Sequence, residues 1–276
     1  PKLKTTISDL EVIQKEVNGS LWYIDYDIED EDTQITIATT RPETMLGDTA
    51  IAVHPDDKRY SGLIGKLAIL PIVEKKIPIV ADKYVKMDQG SGAVKITPAH
   101  DFNDFDVGKR NSLEMISIFD SSGALNENTP SEWNGLDRFK AREILIEKLE
   151  KDNFIVKVES HIHVVPYGDR SDSVIEPFLT DQWYVDAKKL SIPAIRDIKN
   201  GKTKFIPNNW SKTYYEWMNN IQPWCISRQL WWGHRIPAWY TNDGEIIVAS
   251  SEAEALEIAN EKYNTCLLYT SDAADE

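Results

Sequence analysis

The sequence predicts an α+β fold in which short strands curl into a barrel-like, strongly bent sheet with a few short helices around it. Three observations carry this expectation. Short runs of β-branched, aromatic and apolar residues recur between positions 19 and 98. Prolines and glycines punctuate those runs, which favours bends and edges over long straight strands. Helical periodicity is confined to a few stretches, chiefly 137–153 and 251–263.

The elements follow in order. "GSLWYIDY" and "TQITIATT" read as a hairpin over 20–40, joined by the acidic, solvated loop "DIEDED". "DTAIAVHP" is the next strand. "GKLAILPIV" and "KKIPIVAD" give two more, with Pro71 and Pro78 favouring edges or strand ends. "SGAVKITP" is a further strand, and a short helix can follow Asp101. In "DRFKAREILIEKLEKDN", Ala141, Leu145 and Leu149 recur at helical spacing, with Asp137 to cap the start and Asn153 the end. "SEAEALEIANEKY" is a third helix, capped by Ser250 or Ser251.

From about 160 the texture changes. "HIHVVPYGDRSDSVIEPFLTDQWYV" reads as an extended ribbon with turns, which puts a boundary near 160–200. The division is 1–160, a ribbon and linker over 161–210, a further segment over 211–264, and a tail over 265–276. That tail, "TCLLYTSDAADE", fits poorly with what precedes it and reads as non-native or disordered sequence.

With 276 residues, 41% hydrophobic and 28% charged, the chain has the make-up of an ordinary soluble globular protein. No apolar run approaches the roughly 18 residues of a membrane-spanning helix. "PKLKTTISDLE" is not a signal peptide, so no membrane association is expected. Cys225 and Cys266 lie far apart without a CxxC spacing. This argues against a disulfide framework or structural zinc and fits a reducing cytoplasm. A net charge of −14 argues against nonspecific nucleic-acid binding, yet permits one local polar groove. Five of the nine tryptophans fall between Trp210 and Trp232, suggesting a large aromatic core or a buried interface.

The chemistry concentrates in "GSGAVKITPAHDFNDFDVG", residues 90–108. Lys95 and Thr97 are two apart on a strand and share a sheet face, and Pro98 ends that strand. Asp101 and Asp104 are three apart on a first helical turn and lie on one helix face, toward the strand end. The same residues suit a wet strand face and a helix cap, and a cap is compatible with a site. One cation, one hydroxyl and two carboxylates fit a ligand that bears an ammonium and a hydroxyl group. Lys95 is expected to keep both carboxylates ionised by proximity.

A second stretch, "ATTRPETMLGDT" over 38–49, leaves a strand through Thr39 and Thr40. Pro42 bars Arg41 from continuing a helix. Hydroxyls beside an arginine suit a ribose or phosphate edge, although threonine caps with an exposed arginine fit as well. The five histidines are scattered. His161 and His163 share a strand face but lack a third ligand at convincing spacing, so no metal is expected. Neither a GxSxG elbow nor a P-loop is present.

"ISDLEV", "ATTRPETMLGDTAIAVHPDD", "GSGAVKITPAHDFNDFDVG", "VIEPFLTDQWYV" and "WCISRQLWWGHRIPAWY" together resemble the valyl-tRNA synthetases, in that family's order over about residues 5–250. The family is class I, with a Rossmann catalytic domain split by an inserted editing domain. The resemblance implies that editing domain plus an extended ribbon and a fragment of the catalytic domain. Neither a HIGH-type nor a KMSKS motif is found, which implies a segment unable to aminoacylate alone; "HIHV" at 161–164 has the wrong pattern.

The implied activity is hydrolysis of threonyl-tRNA(Val) made in error. An apolar pocket rejects an isostere that merely adds a hydroxyl only weakly, and valyl-tRNA synthetases are the standard illustration of that limit. By resemblance, Asp104 holds the α-ammonium, while Lys95, Thr97 and Asp101 read the threonyl hydroxyl. Arg41 and Thr44, with Thr39 and Thr40, form the wall around the terminal adenosine and ester. His100 is counted with the substrate-binding residues, as one that shapes the turn rather than as a base. The implied partner is the acceptor end of tRNA(Val), and the implied state is a cytoplasmic monomer. No cofactor is implied for editing, and ATP and Mg only for the full-length synthetase. The competing expectations are a module that binds the acceptor end without turnover and, more remotely, a metal hydrolase.

Overall fold

The computed structural model describes residues 1–230, 232–263 and 268–270. The chain divides into two compact units, Pro1–Leu3 with Ile13–Thr180, and Lys4–Val12 with Asp181–Glu276. Residue 160 itself lies within a strand, and Glu176 is bonded to Arg41 and Arg138, so 161–180 stays with the first unit.

In the first unit, seven strands form one sheet among the described residues. They are β1 (Val12–Ile28), β2 (Gln34–Thr39), β3 (Ala50–Val53), β4 (Leu67–Ile69), β5 (Lys76–Ala81), β6 (Ala93–Ile96) and β7 (Ile155–Gly168). The order is β2-β1-β4-β5-β3-β6, with β7 also on β1. The β3–β5 pair is parallel, while β1–β2, β1–β4, β4–β5 and β3–β6 are antiparallel. β2 and β6 stand at opposite ends of that order and nevertheless pack together, so the sheet curls back on itself. The expected hairpin is present, with Trp22 opposite Thr39 and Asp27 opposite Gln34. Its first strand is much longer than expected because the same strand also takes β7 as a partner.

The inward face of the curl is apolar. Ile24, Tyr26 and Ile28 alternate along β1 and meet Ile35 and Ile37 of β2 in a core that also takes in Ile51, Ile77 and Phe119. Helix α2 (Arg138–Lys151) supplies Ala141, Leu145 and Leu149 to this core, all buried. Asp137 caps its start by accepting from the backbone N–H of Phe139 at 2.9 Å. Asn153 takes a positive φ of 61° just past its end, the left-handed geometry that closes a helix. α2 packs against the short 3-10 turn Pro42–Gly47. The shorter helix α1 (Phe102–Arg110) follows β6, and Gly108 is needed there, since a Cβ at that position would come within 2.9 Å of the Pro98 ring.

The second unit holds β8 (Tyr184–Val185) paired with β9 (Trp224–Cys225), and β10 (Ala238–Thr241) flanked by β11 (Ile246–Val248) and β12 (Leu268–Thr270). Helix α5 (Glu252–Tyr263) packs on β10 and β11 around Trp239, Ile247, Ala255 and Ala259. Ser251 caps it by accepting from Glu254, whose carboxylate reaches back to the Ser250 N–H at 2.8 Å. Helices α3 (Ala187–Lys199) and α4 (Trp210–Asn219) pack on each other; α3 lies where only ribbon and linker are expected, and α4 runs into the further segment expected over 211–264. Pro193 inside α3 masks its helical pattern. Trp210, Trp217, Trp224 and Trp232 are exposed, which rules out the aromatic-core reading for them, and Trp231 lies outside the described residues. The expected tail falls on 265–276, which lie outside the described residues apart from 268–270. Among the described residues, no helix is long and apolar enough to cross a membrane.

Leu145 is fully buried at the centre of the α2 contact. Leu145→Ala removes apolar contact and leaves a cavity, at a cost of about 3 kcal/mol. Urea unfolding followed by circular dichroism is expected to show that loss, and a change under about 1 kcal/mol would contradict the core assignment.

Candidate functional site

The site begins with a register. β3 and β6 pair antiparallel, Ala50 opposite Ile96 and Ile51 opposite Lys95. The N–H of Thr49 donates to the Ile96 carbonyl at 2.9 Å, extending the ladder past the strand end. This brings Asp48 beside the end of β6. Lys95 and Thr97, on one face of that end, both reach Asp48: Lys95 Nζ donates to Oδ1 at 3.1 Å and Thr97 Oγ1 to the same oxygen at 2.6 Å. Lys95 also donates to Thr97 Oγ1 and, at 2.7 Å, to Thr44 Oγ1. Three N–H donors thus meet three acceptors. Tyr26 completes the cluster, its hydroxyl donating to Asp48 Oδ2 at 2.9 Å.

Lys95, Thr97 and Thr44 are buried, and Asp48 has no exposed surface. Burial drives the Asp48 carboxyl upward, opposed by Lys95, Thr97 and Tyr26. The Tyr26 phenol is pushed far above its ordinary range, first by burial and then by the Asp48 charge, so it stays a donor.

Asp104 comes from the first turn of α1. Its Oδ2 accepts from the backbone N–H of Thr97 at 2.9 Å, tying the helix to the strand end. Burial is the larger influence on its carboxyl, and the Asp101 and Asp48 charges add to it, so its pKa rises from 3.8 to about 7 against the pull of Lys95. This corrects the expectation that Lys95 alone keeps it ionised: desolvation outweighs the cation. Asp101 is half-buried and caps α1, its Oδ1 accepting from the N–H groups of Asn103 at 2.8 Å and Asp104 at 3.2 Å.

The other stretch packs behind this cluster. Thr39 Oγ1 accepts from the Arg41 N–H at 3.0 Å, Thr44 Oγ1 donates to the Arg41 carbonyl at 3.0 Å, and Thr40 is half-buried alongside. Arg41 is turned inward, donating to the His100 carbonyl at 2.9 Å and to Glu176. His100 is fully buried, and its Nε2 accepts from the Ile118 N–H at 2.9 Å. Burial, then Arg41 and Lys95, lower its pKa from 6.5 to about 3, so it is neutral and serves as a brace. His161 and His163 stack in the ribbon with ring centroids 5.9 Å apart.

The sequence reading missed Asp48, Tyr26, Glu43 and Glu176. Glu43 is fully buried and holds Arg142 of α2 through two bonds of 2.7 Å. One signal for Asp48 was present, a carboxylate two residues before the wholly apolar strand "AIAV". Tyr26 was legible only as a member of the alternating buried face of β1. An open groove lined by Leu70, Pro71, Ile72, Lys148 and Phe154 lies elsewhere on this unit and holds no buried polar side chain.

A family model described as tRNA synthetases class I (I, L, M and V) matches residues 1–274. A valine--tRNA ligase of Pelagibacter ubique is 61% identical over 262 residues, which are 95% of this chain and 30% of that protein. A valine--tRNA ligase of Bradyrhizobium diazoefficiens is 58% identical over 280 residues, 94% of this chain and 29% of that protein. The chain thus spans about 30% of the length of the curated relatives it matches. The solved structure of GlLeuRS-CP1 aligns with 51% of this chain and 99% of its own at a TM-score of 0.42 and 14% identity, too low a likeness to argue from.

Because the folded-state pKa of Asp104 lies above its ordinary value, the fold favours the protonated carboxyl. That contribution to stability is complete below about pH 4 and is lost as pH rises through about 7, at about 1.4 kcal/mol per unit of pKa difference. Urea titrations between about pH 5.5 and 8 are expected to show this falling slope, and Asp104→Asn is expected to flatten it. An equal slope in that variant would refute the titration of Asp104.

Proposed function

The chain belongs to the class I tRNA synthetases (I, L, M and V), and from that premise we propose that its first unit is an editing domain that hydrolyses the ester of threonyl-tRNA(Val). The observation that carries this reading is the buried Lys95–Thr97–Thr44–Asp48 cluster set beside Asp104. Such a cluster has no use for an apolar side chain. A ligand hydroxyl can join this network as a further member, exchanging hydrogen bonds with Lys95 and Thr97, whereas a methyl in its place brings no hydrogen bond and only desolvates the polar groups it meets. Threonine is accepted on that account, and valine refused.

The proposed roles are those that the family resemblance implies. Asp104, ionised, takes the α-ammonium of the aminoacyl group. Lys95, Thr97 and Asp101 read the side-chain hydroxyl. Thr39, Thr40 and Thr44 wall the terminal adenosine, with Arg41 fixing that wall from inside, because its guanidinium donates to His100 and Glu176. Water adds to the ester carbonyl carbon. The bond from that carbon to the ribose oxygen then breaks, the ribose oxygen takes a proton, and free threonine and tRNA leave. His100 supplies no base, since its Nε2 already accepts from the Ile118 N–H and burial lowers its pKa to about 3. Positioning and fixed dipoles carry the rate, without a covalent intermediate on the protein or a cofactor. The partner is the acceptor end of tRNA(Val), and the second unit is the returning catalytic-domain sequence of a cytoplasmic, monomeric synthetase.

The test is release of labelled threonine from threonyl-tRNA(Val), with valyl-tRNA(Val) as control. The chain is expected to hydrolyse the first and spare the second, and Asp104→Asn to lower kcat/KM at least a hundredfold. Unchanged hydrolysis in that variant would defeat the assignment. Binding of an adenosine-linked threonine analogue with no cleavage at any protein concentration would leave a binding module instead.

The same carboxylate sets a pH dependence. Asp104 is ionised only above about 7, so a non-hydrolysable threonyl-adenosine mimic is expected to bind more tightly as pH rises through that value. Below it, Kd is expected to weaken about tenfold per pH unit. Calorimetric titration of chain and Asp104→Asn, the latter with a flat profile, checks this.

A further inference from the structure

Glu176 lies after β7, far along the chain from every residue of the site, yet its carboxylate is buried against it. One oxygen accepts from Arg41 Nη2, and the other accepts from Arg138 Nε of α2 at 2.7 Å. Arg41 is the junction. Its Nη1 holds the His100 carbonyl at 2.9 Å, its N–H holds Thr39 at 3.0 Å, and its carbonyl takes the Thr44 hydroxyl at 3.0 Å. Thr44 Oγ1 in turn accepts from Lys95 Nζ at 2.7 Å.

We propose that Glu176 is a positioning residue of the editing site, fixing the Arg41 side chain and, through the His100 backbone that it holds, Thr97 and Lys95; this rests on the editing reading of that site. Arg41 has another carboxylate within reach, but Glu43 Oε1 stands 3.7 Å away, and both oxygens of Glu43 are already given to Arg142 at 2.7 Å. Glu176 is therefore the anion that sets the direction of the Arg41 side chain. The backbone on either side has little freedom to absorb a change, because Pro42 follows Arg41 directly. Without the Glu176 charge, Arg138 stays trapped with a side chain only 7% exposed, while Arg41, at 29%, has a way out to solvent. A turning Arg41 side chain releases the His100 carbonyl, and the N–H of that same His100 is what holds the Thr97 carbonyl at 3.0 Å. Thr97 then shifts, and Lys95 loses one of its three acceptors.

The test uses the full chain with Glu176→Gln, Arg41→Gln and the double variant. Glu176→Gln is expected to lower kcat for threonyl-tRNA(Val) at least tenfold with KM within about twofold, and the double variant to be no slower than Arg41→Gln alone. Independent, multiplied losses in the double variant would overturn the proposal, since a residue acting only through Arg41 has nothing to add once Arg41 is gone. A second arm needs no turnover. Competitive acetylation of Lys95, referenced to the exposed Lys140, is expected to run severalfold faster in Glu176→Gln. An unchanged Lys95 rate in a variant with native near-ultraviolet dichroism overturns the proposal even if the wild-type chain cleaves no ester, an outcome that separately ends the editing reading. Should Glu176→Gln fail to fold, Glu176→Asp keeps the charge but cannot span both arginines. It is expected to quicken Lys95 acetylation to a smaller degree, and an unchanged rate there is equally fatal.

Discussion

Asp48 has no exposed surface and Lys95 almost none, so each charge is tolerable only because the other is there. Removing one partner of such a pair leaves an uncompensated buried charge, at a cost of about 3–5 kcal/mol. The pair itself is not a source of great stability, because desolvation consumes most of the attraction. What it supplies is position. Asp48 leads into β3, Lys95 sits in β6, and Thr44 belongs to the 3-10 turn between β2 and β3, so one ammonium group locks three chain segments at a single point. Tyr26 adds β1 through the remaining oxygen of Asp48. The curl of the sheet and the shape of the site are therefore the same fact.

Much of this was legible in the sequence because it rests on local rules. Strand alternation put Lys95 and Thr97 on one face, and both side chains do meet at Asp48. Asp101 reads as a cap and is one. Asp137 and Asn153 bracket α2, and its four-residue apolar spacing marks the buried stripe. The illegible part is long-range. Nothing near Asp48 in sequence identifies Lys95 as its partner, since the two meet only through the β3–β6 register. Glu43 with Arg142 and Glu176 with Arg41 are pairings of the same sort. Charge in a sequence reads as solvated surface by default, and only the fold reveals which charges are buried. The ionisation of Asp104 belongs here too: proximity to Lys95 can be guessed from spacing, but the desolvation that outweighs it needs the burial of the first turn of α1.

Two polar layers lie one behind the other. The inner layer is Lys95, Thr97, Thr44 and Asp48, the groups that can meet a ligand. The outer layer is ionic, Arg41 with Glu176 and Glu43 with Arg142, and it joins the 3-10 turn to α2. His100 stands between them as a neutral spacer, its carbonyl held by Arg41 and its ring by the Ile118 N–H. Its depressed pKa has a structural purpose. A charged imidazole beside Arg41 and Lys95 would place a third cation in the same small volume, and that repulsion is among the causes of the depression.

On the proposed editing reading, this layering gives a physical basis for preferring the more polar of two ligands of nearly equal size. An unbound cluster whose donors and acceptors already satisfy one another is in no hurry to accept an apolar group, which would bring it nothing and strip its remaining water. A hydroxyl can enter the network as a member, giving and receiving hydrogen bonds as Thr97 already does. Preorganisation makes that difference usable. Were Thr44 or Lys95 free to turn away, they could find water when the wrong ligand arrived, and the penalty for a missing oxygen would vanish. On the proposed editing reading, rigidity of the outer ionic layer is what would convert one hydroxyl group into a selective signal and keep the fixed dipoles aimed during hydrolysis.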